Sequence, residues 1–537
     1  MKINTKKLLI LVCVIILIIS VSNIVIADIT SFEKEKSISN YLEYILHDPI
    51  LIDGNEDFVI GQNGVVSGEG TEGDPFVISG WDIDASTAHG IHIKNSNVYF
   101  VIMDCIVHDG LDGAGGGFIG FNGIRLENVI NGFVDDVNST RNGFGLKIKG
   151  SSSDIFVSNS SFCQNNGGIG LGGSFIYVFN NSISHNGCGI GVYCFQSIIE
   201  KNTITYNLLG VHGGYSDPEL PLQVTYLDNN ISYNAGIGMF FDCSPGHNII
   251  NNTIAYNGYD PDALSLGFPP DIIPAAGIWA ICESNYVDII NNTITHNYEK
   301  GIHLSASFPS RVLYNNISNN FGYGINTQGI NINYQRVISD NLITYNTKSG
   351  IVLGLNNKYC SNTDIYFNII RDNQEYGIFC NQSSGHLDFL NVVHHNNLIN
   401  NTLGNAYDES MDTNLWDDTG EGNYWYDYEI RYPDANNDDN IWDTPYEIMG
   451  GDNMDRYPLL NLWVPPIVCG DVDNSGGVDI DDVVYLINYI FSSGPPPTPE
   501  VCIGDADGSG SVDIDDVVYL INYIFVSGPP PIETCCE

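Results

Sequence analysis

Between residues 90 and about 404, apolar and polar side chains alternate over short runs that open on a glycine-isoleucine step and close on an asparagine pair. Gly301-Ile302-His303-Leu304-Ser305 is representative: Ile302 and Leu304 fall on one side of an extended segment, His303 and Ser305 on the other. Such alternation predicts β-strands, and the three-and-four spacing of an amphipathic helix is absent. The unit recurs at Gly168-Ile169, Gly189-Ile190, Gly236-Ile237, Gly277-Ile278, Gly301-Ile302, Gly324-Ile325, Gly350-Ile351 and Gly377-Ile378. Its shortest spacing, 21 residues, suits one turn of a parallel β-helix with short strands and tight corners.

Asn180-Asn181-Ser182, Asn251-Asn252-Thr253 and Asn291-Asn292-Thr293 have the form of glycosylation acceptors. Their fixed place in the repeat favours another role. Asparagine tolerates left-handed backbone, and stacked copies can form an amide ladder that satisfies buried polar groups. The expected organisation is a signal peptide over 1–27, a linker and N-terminal cap over 28–83, the repeats over 84–415, an aromatic-rich C-terminal cap over 416–464 and a separate domain over 465–537.

That last segment repeats itself at a separation of 34 residues, Gly470-Asp-Val-Asp-Asn-Ser-Gly-Gly-Val-Asp-Ile-Asp-Asp being answered from Gly504 onward. The spacing is that of a 12-residue calcium loop, which wraps six or seven oxygens about 2.4 Å from a hard cation. The expected ligands are Asp471, Asp473, Ser475, the backbone of Gly477, Asp479 and Asp482, then Asp505, Asp507, Ser509, the backbone of Ser511, Asp513 and Asp516. Each loop leads into Val-Val-Tyr-Leu-Ile-Asn-Tyr-Ile-Phe, a run that can form one helix and pack on its twin. A third Ca2+ candidate is the alternating oxygen set Asp434, Asn436, Asp438, Asn440 and Asp443 (residues 434–443), which lacks the turn glycine.

Charge narrows the partners. With 64 acidic against 19 basic residues and a net charge of -45, the chain is unsuited to nucleic acid or anionic membranes. Lys6 and Lys7 precede an apolar run from Leu8 to Ile26, and Val25 and Ala27 fit a signal peptidase site, so the mature chain is expected to be secreted or at the cell surface; left uncleaved, the leader would be a membrane anchor. Of 13 cysteines, Cys13 lies in the leader, leaving an even number where disulfides persist. Cys194 and Cys282 read as core side chains, and Cys469, Cys502, Cys535 and Cys536 suggest a staple of undetermined connectivity.

Residues 50–462 resemble the NosD-like and pectate-lyase-like right-handed β-helix family through the Asn-Asn-x-Ile repeats, Gly73-Asp74-Pro75-Phe76 with Gly80-Trp81, Gly422-Asn423-Tyr424-Trp425, Asp443-Thr444-Pro445-Tyr446 and Asp455-Arg456-Tyr457-Pro458. Residues 469–532 resemble type I dockerins, which implies a cohesin-domain partner, read at Ile480, Asp481, Ile514 and Asp515 where cellulosomal dockerins carry Ser/Thr pairs. The expected fold class is thus all-β, a right-handed parallel β-helix, followed by a small α-helical calcium-loop domain.

Stacking the repeats places His92, Arg125, Lys147, Gly170, Gly191, His212, Gly238, Trp279 and His303 in one outward row, with Lys94, Glu127, Lys149, Tyr193 and Phe240 beside it. Lys94, Arg125, Lys147 and Lys149 could hold an acidic polysaccharide, glycines would open a groove, and Tyr193, Phe240 and Trp279 could stack on sugar rings. His212, Asp242, Glu283 and His303 are the titratable candidates for catalysis by a polysaccharide lyase, glycoside hydrolase or epimerase. The competing readings are a non-enzymatic surface or adhesion solenoid and a NosD-type copper-handling protein. For the last, His394-His395 and scattered methionines are sparse as soft ligands.

Overall fold

The computed structural model describes residues 44–537 apart from 112–119, 215–221, 243, 260–274, 282–286, 306–309, 330–334, 355–359, 381–390, 411–413, 438–439, 465–467, 474–476, 493, 499, 527, 533 and 537. The leader, Cys282, Glu283, Asp438 and Ser475 therefore lie outside the described residues.

Alternation in the sequence becomes three parallel stacks of short strands. The first face holds Leu209–Gly213, Met239–Asp242, Ala276–Ile281, Lys300–Ser305 and Tyr323–Gln328, each paired in parallel with the next. The second holds Val224–Leu227, His247–Ile250, Val287–Ile290 and Arg311–Leu313, and the third Thr203–Thr205, Asn230–Ser232, Thr253–Ala255, Thr293–Thr295 and Asn316–Ser318. Inward residues align into columns. Ile204, Ile231, Ile254, Ile294, Ile317, Ile343 and Ile370 form one of them, all fully buried, and each contributes roughly 1.5–3 kcal/mol by leaving water.

Two asparagine ladders seal the corners flanking the third face. One runs Asn181, Asn202, Asn229, Asn252, Asn292, Asn315, Asn341, Asn368, Asn396 and Asn423; in it each main-chain N–H donates to the next turn's Oδ1 at 2.8–3.1 Å. The other runs from Asn142 through Asn165, Asn186, Asn207, Asn234 and Asn257 to Asn401. Within each Asn-Asn pair the two residues divide the work. Asn180, Asn251 and Asn291 are exposed and turn the corner at φ 54, 57 and 55, while Asn181, Asn252 and Asn292 are buried in the ladder. The glycine of Gly-Ile exists because turns approach closely there: a Cβ on Gly277 would stand 2.7 Å from the Gly301 carbonyl oxygen and 2.8 Å from Asn297 Nδ2.

Tyr206, Tyr233, Tyr256 and His296 occupy the following corner at φ 55–56, a costly conformation for bulky residues. Ring stacking offsets it, the Tyr233–Tyr256 centroids being 4.9 Å apart. Alternation did not single these positions out.

At the N-terminal end Ile45–His47 pairs with Trp81–Asp84 and Ile50–Asp53 with Ile91–Ser96, so the segment before the repeats builds the first turn. At the other end Trp416, Trp425, Tyr428, Trp442 and Tyr446 are buried over the last turns. Asp455 ties them down, accepting from the Asn423 N–H, Trp425 Nε1 and the Tyr457 N–H at 2.7, 2.7 and 3.0 Å, and burial pushes its carboxyl up to about 7. Arg456 pairs with Asp417 through Nε at 2.9 Å.

The tail folds around its own small core of Val472, Val483, Leu486, Ile503, Ala506, Val517 and Leu520. Helices Ile480–Ser492 and Ile514–Val526 leave the two loops and pack on each other. Each ends alike, with the Gly494 N–H bonded to the Asn488 carbonyl and Gly528 to Asn522, both at 2.9 Å. Disulfides join Cys469 to Cys535 and Cys502 to Cys536, the connectivity the sequence left open. Cys194 is a buried free thiol, as its alternation implies. No helix of the described residues is long and apolar enough to cross a membrane.

Candidate functional site

On the first face the strands fix which outward residues are neighbours, and one register differs from expectation. Val211 pairs with Met239, so Phe240, and not Gly238, follows His212 in the row that continues to Trp279, His303 and Asn326. The corner from Asn234 to Gly238 is one residue longer than that from Asn207 to Gly210, and the strand starts at Gly238-Met239, two residues beyond the Gly236-Ile237 step. His212, Phe240, Trp279 and His303 consequently form a continuous ring column with centroids 5.4–5.5 Å apart.

The basic residues do cluster, but most are already paired. Lys94 Nζ lies 2.8 Å from Asp53, while Arg125 and Lys149 meet Glu127 at 2.9 and 3.0 Å. Lys149 and Arg125 hold the Glu127 carboxyl down at about 2. Lys147 differs: among the described residues it has no carboxylate partner, and its ammonium sits 4.3 Å from the Phe144 ring and 5.8 Å from Tyr193. Burial lowers its pKa. Its stem fits because the next turn carries Gly170, where a Cβ would collide with Lys147 Cδ at 2.6 Å and Nζ at 2.7 Å. Tyr193 likewise leans over Gly214 and is exposed. Lys147, Lys149, Gly172, Gly173, Tyr193 and Phe195 line an open cleft of 590 Å³. Four cations against two carboxylates leave this patch positive in an otherwise acidic chain.

The catalytic candidates are not gathered. His212 and His303 are three strand spacings apart in the column, roughly 14 Å at about 4.8 Å per turn, too far to act on one bond. Asp242 lies on the turn next to His212, whose pKa burial lowers. His303 is nearly buried and Glu283 lies outside the described residues.

In the tail the two loops bring their acids together. Asp471, Asp473 and Asp482 offer carboxylate oxygens within 4.8 Å of one another, and so do Asp505, Asp507 and Asp516. Both loops use the same framework: Asp482 accepts the N–H groups of Asp473 and Asp479 at 3.3 and 2.8 Å, and Asp516 those of Asp507 and Asp513 at 3.2 and 2.8 Å. Burial and the facing Asp473 push Asp482 up to about 7. Residues 465–537 contain no Lys, Arg or His, so no basic side chain of the tail balances these groups. Asp479 and Asp513 accept the Asp481 and Asp515 N–H at the helix starts, Ser509 Oγ reaches the Ser511 carbonyl, and Gly477 is exposed on the first loop. In the third candidate, Asp443 bonds to Asn436 and Thr444 within a hairpin and Asn440 to Asn461.

The sequence search among curated proteins gives no match. Solved structures similar to this chain include the A-module of a mannuronan C-5 epimerase from Azotobacter vinelandii (13% identity, 67% of this chain and 88% of that one, TM-score 0.30). They also include the catalytic unit of an α-1,3-glucanase from Streptomyces thermodiastaticus (15%, 65% and 64%, TM-score 0.36) and a surface adhesin of Streptococcus pneumoniae (10%, 54% and 82%, TM-score 0.30). The family described as "right handed beta helix region" matches residues 63–220 and 223–403. With strands stacked in parallel through that span and most of the chain matched, the protein belongs to the right-handed β-helix family.

Proposed function

We propose that this is an exported, calcium-organised modular protein whose β-helix holds acidic polysaccharide on the face carrying Lys147 and Tyr193, and whose tail attaches it to a cohesin-bearing partner. The observation that carries the reading is the pair of carboxylate trios in a segment devoid of cations. Calcium would be held by Asp471, Asp473, Ser475, the Gly477 carbonyl, Asp479 and Asp482, and by Asp505, Asp507, Ser509, the Ser511 carbonyl, Asp513 and Asp516, at about 2.4 Å. When bound it supplies charge neutralisation and fixes where each helix begins. Val484 and Ile487, with Val518 and Ile521 at the same places in the second copy, are exposed apolar residues on those helices and offer a duplicated docking face.

On the β-helix, Lys147 offers an uncommitted ammonium to a uronate carboxylate and Tyr193 a ring to the adjoining sugar. Separation of His212 from His303 favours holding the polymer over cleaving it. Such a tether raises the effective concentration of the binding face at whatever the partner is anchored to. The test passes the calcium-loaded full chain over polygalacturonate, alginate and a neutral glucan while reducing ends and unsaturated uronates are followed. Retention on the acidic polymers that weakens in Lys147→Ala is expected. Equal behaviour on all three, or indifference to Lys147→Ala, defeats the acidic-glycan reading, and bond cleavage replaces it with an enzymatic one.

A further inference from the structure

We infer that His394, His395 and Asp418 form a binding site for a borderline divalent transition metal, with zinc as the probe, independent of the tail loops and of the glycan face. Two consecutive histidines on a strand should point to opposite sides. Here Val392–His394 ends at a corner where His395 adopts φ 54, so its ring swings round beside that of His394. The two Nδ1 atoms end 2.6 Å apart. Asp418, from the loop covering that turn, brings a carboxylate oxygen within 4.8 Å of both. Its Oδ1 accepts the Gly420 and Glu421 N–H groups at 3.1 and 2.8 Å, which fixes the carboxylate and leaves Oδ2 to a ligand.

His394 Nε2 lies 3.2 Å from Asp364 Oδ1, and His395 Nε2 lies 2.7 Å from Glu421 Oε2. Ionised carboxylates only accept, so both Nε2 atoms donate outward and both Nδ1 atoms face the gap between the rings. At that separation the two Nδ1 atoms share a proton, and a divalent metal that takes both lone pairs displaces it. Carboxylate behind imidazole, with the free nitrogen facing inward, is the arrangement that orients histidine for a metal. Tetrahedral zinc needs about 3.3 Å between bound nitrogens at Zn–N of about 2.05 Å, a small spreading of the rings. Two imidazoles and one carboxylate suit zinc-class ions better than soft copper(I), and exposed Asp418 leaves the fourth position to water. Tyr366 stacks on His394 at 5.3 Å and Trp463 lies edge-on to His395 at 6.0 Å, walling the site.

The experiment titrates the full, disulfide-intact chain with zinc in excess calcium, so that the tail loops are filled, and repeats it with cobalt(II) to read tetrahedral visible absorption. One equivalent of zinc is expected, at least tenfold weaker in His395→Gln and in Asp418→Ala, with the cobalt band lost. Asp364→Asn, which leaves all three ligands in place, should weaken binding about tenfold, and circular dichroism checks that each variant keeps its strands. Absence of a zinc equivalent in excess calcium, or uptake and cobalt spectra unchanged in His395→Gln and Asp418→Ala, overturns the inference.

Discussion

Replacing Asn252 by alanine tests what holds the solenoid corners. Asn252 Nδ2 donates to the carbonyls of Tyr226 and Ile250, both at 2.9 Å, and its Oδ1 accepts the Asn229 main-chain N–H and Nδ2, also at 2.9 Å. The site is 1% exposed. Alanine would strand the Asn229 N–H in a dry corner and remove one bond each from the Tyr226 and Ile250 carbonyls, while Asn229 Nδ2 keeps its bond to Ile199. At about 1–3 kcal/mol for the unsatisfied N–H and about 0.5–1.5 kcal/mol for each bond lost, the loss comes to about 4 kcal/mol, a large share of the ~5–15 kcal/mol that holds a typical domain. The comparison is Asn251→Gly, one residue away. Asn251 is exposed and sits at φ 57, which glycine adopts freely, so this change should cost under about 1 kcal/mol. Urea unfolding followed by β-sheet circular dichroism measures both midpoints. Similar small shifts for the two variants would mean that water replaces the amide and that the ladder is not what closes the corner.

Three further outcomes follow from the same geometry. Gly170→Ala should displace the Lys147 stem and reduce retention on acidic glycan as much as Lys147→Ala does, with unchanged strand content, which binding assays on both variants check. Chelating calcium should cost helix signal from Ile480–Ser492 and Ile514–Val526 while the β-helix spectrum stays, and unchanged helix signal after chelation contradicts the role given to the metal. In the metal-free tail Asp482 is raised from 3.8 to about 7, so the folded form binds the extra proton; stability is full below about pH 4 and falls as pH rises to about 7, where added calcium restores it, as thermal scans across that range will report.

Much of this was legible in the sequence because repetition averages out local ambiguity. One Gly-Ile step is weak evidence for a turn, but its recurrence with an asparagine pair at matching offsets leaves a stacked architecture as the consistent solution. The duplicated loop and helix of the tail were legible for the same reason, two copies obeying one set of offsets. Register was harder. Gly236-Ile237 and Gly238-Met239 both satisfy the alternation, and the choice between them depends on where Asn234 docks on the turn below. Ion pairing across turns was hidden too: Lys94 with Asp53 and Arg125 with Glu127 depend on which rotamers meet once strands are stacked. His394-His395 stood out in the sequence only as sparse soft ligands, and their grouping with Asp418 was hidden because a left-handed corner cancels strand alternation and because Asp418 comes from the cap, a segment outside the repeat. Cysteine pairing could not follow from spacing, since several connectivities of the four tail cysteines are compatible with the same duplicated loops.

That cations organise the tail is tested directly by calorimetric titration of the full disulfide-bonded chain with calcium. Two equivalents should bind, falling to one in Asp482→Ala or Asp516→Ala and to none in the double variant. Absence of calcium uptake, or two equivalents surviving in the double variant, would contradict it.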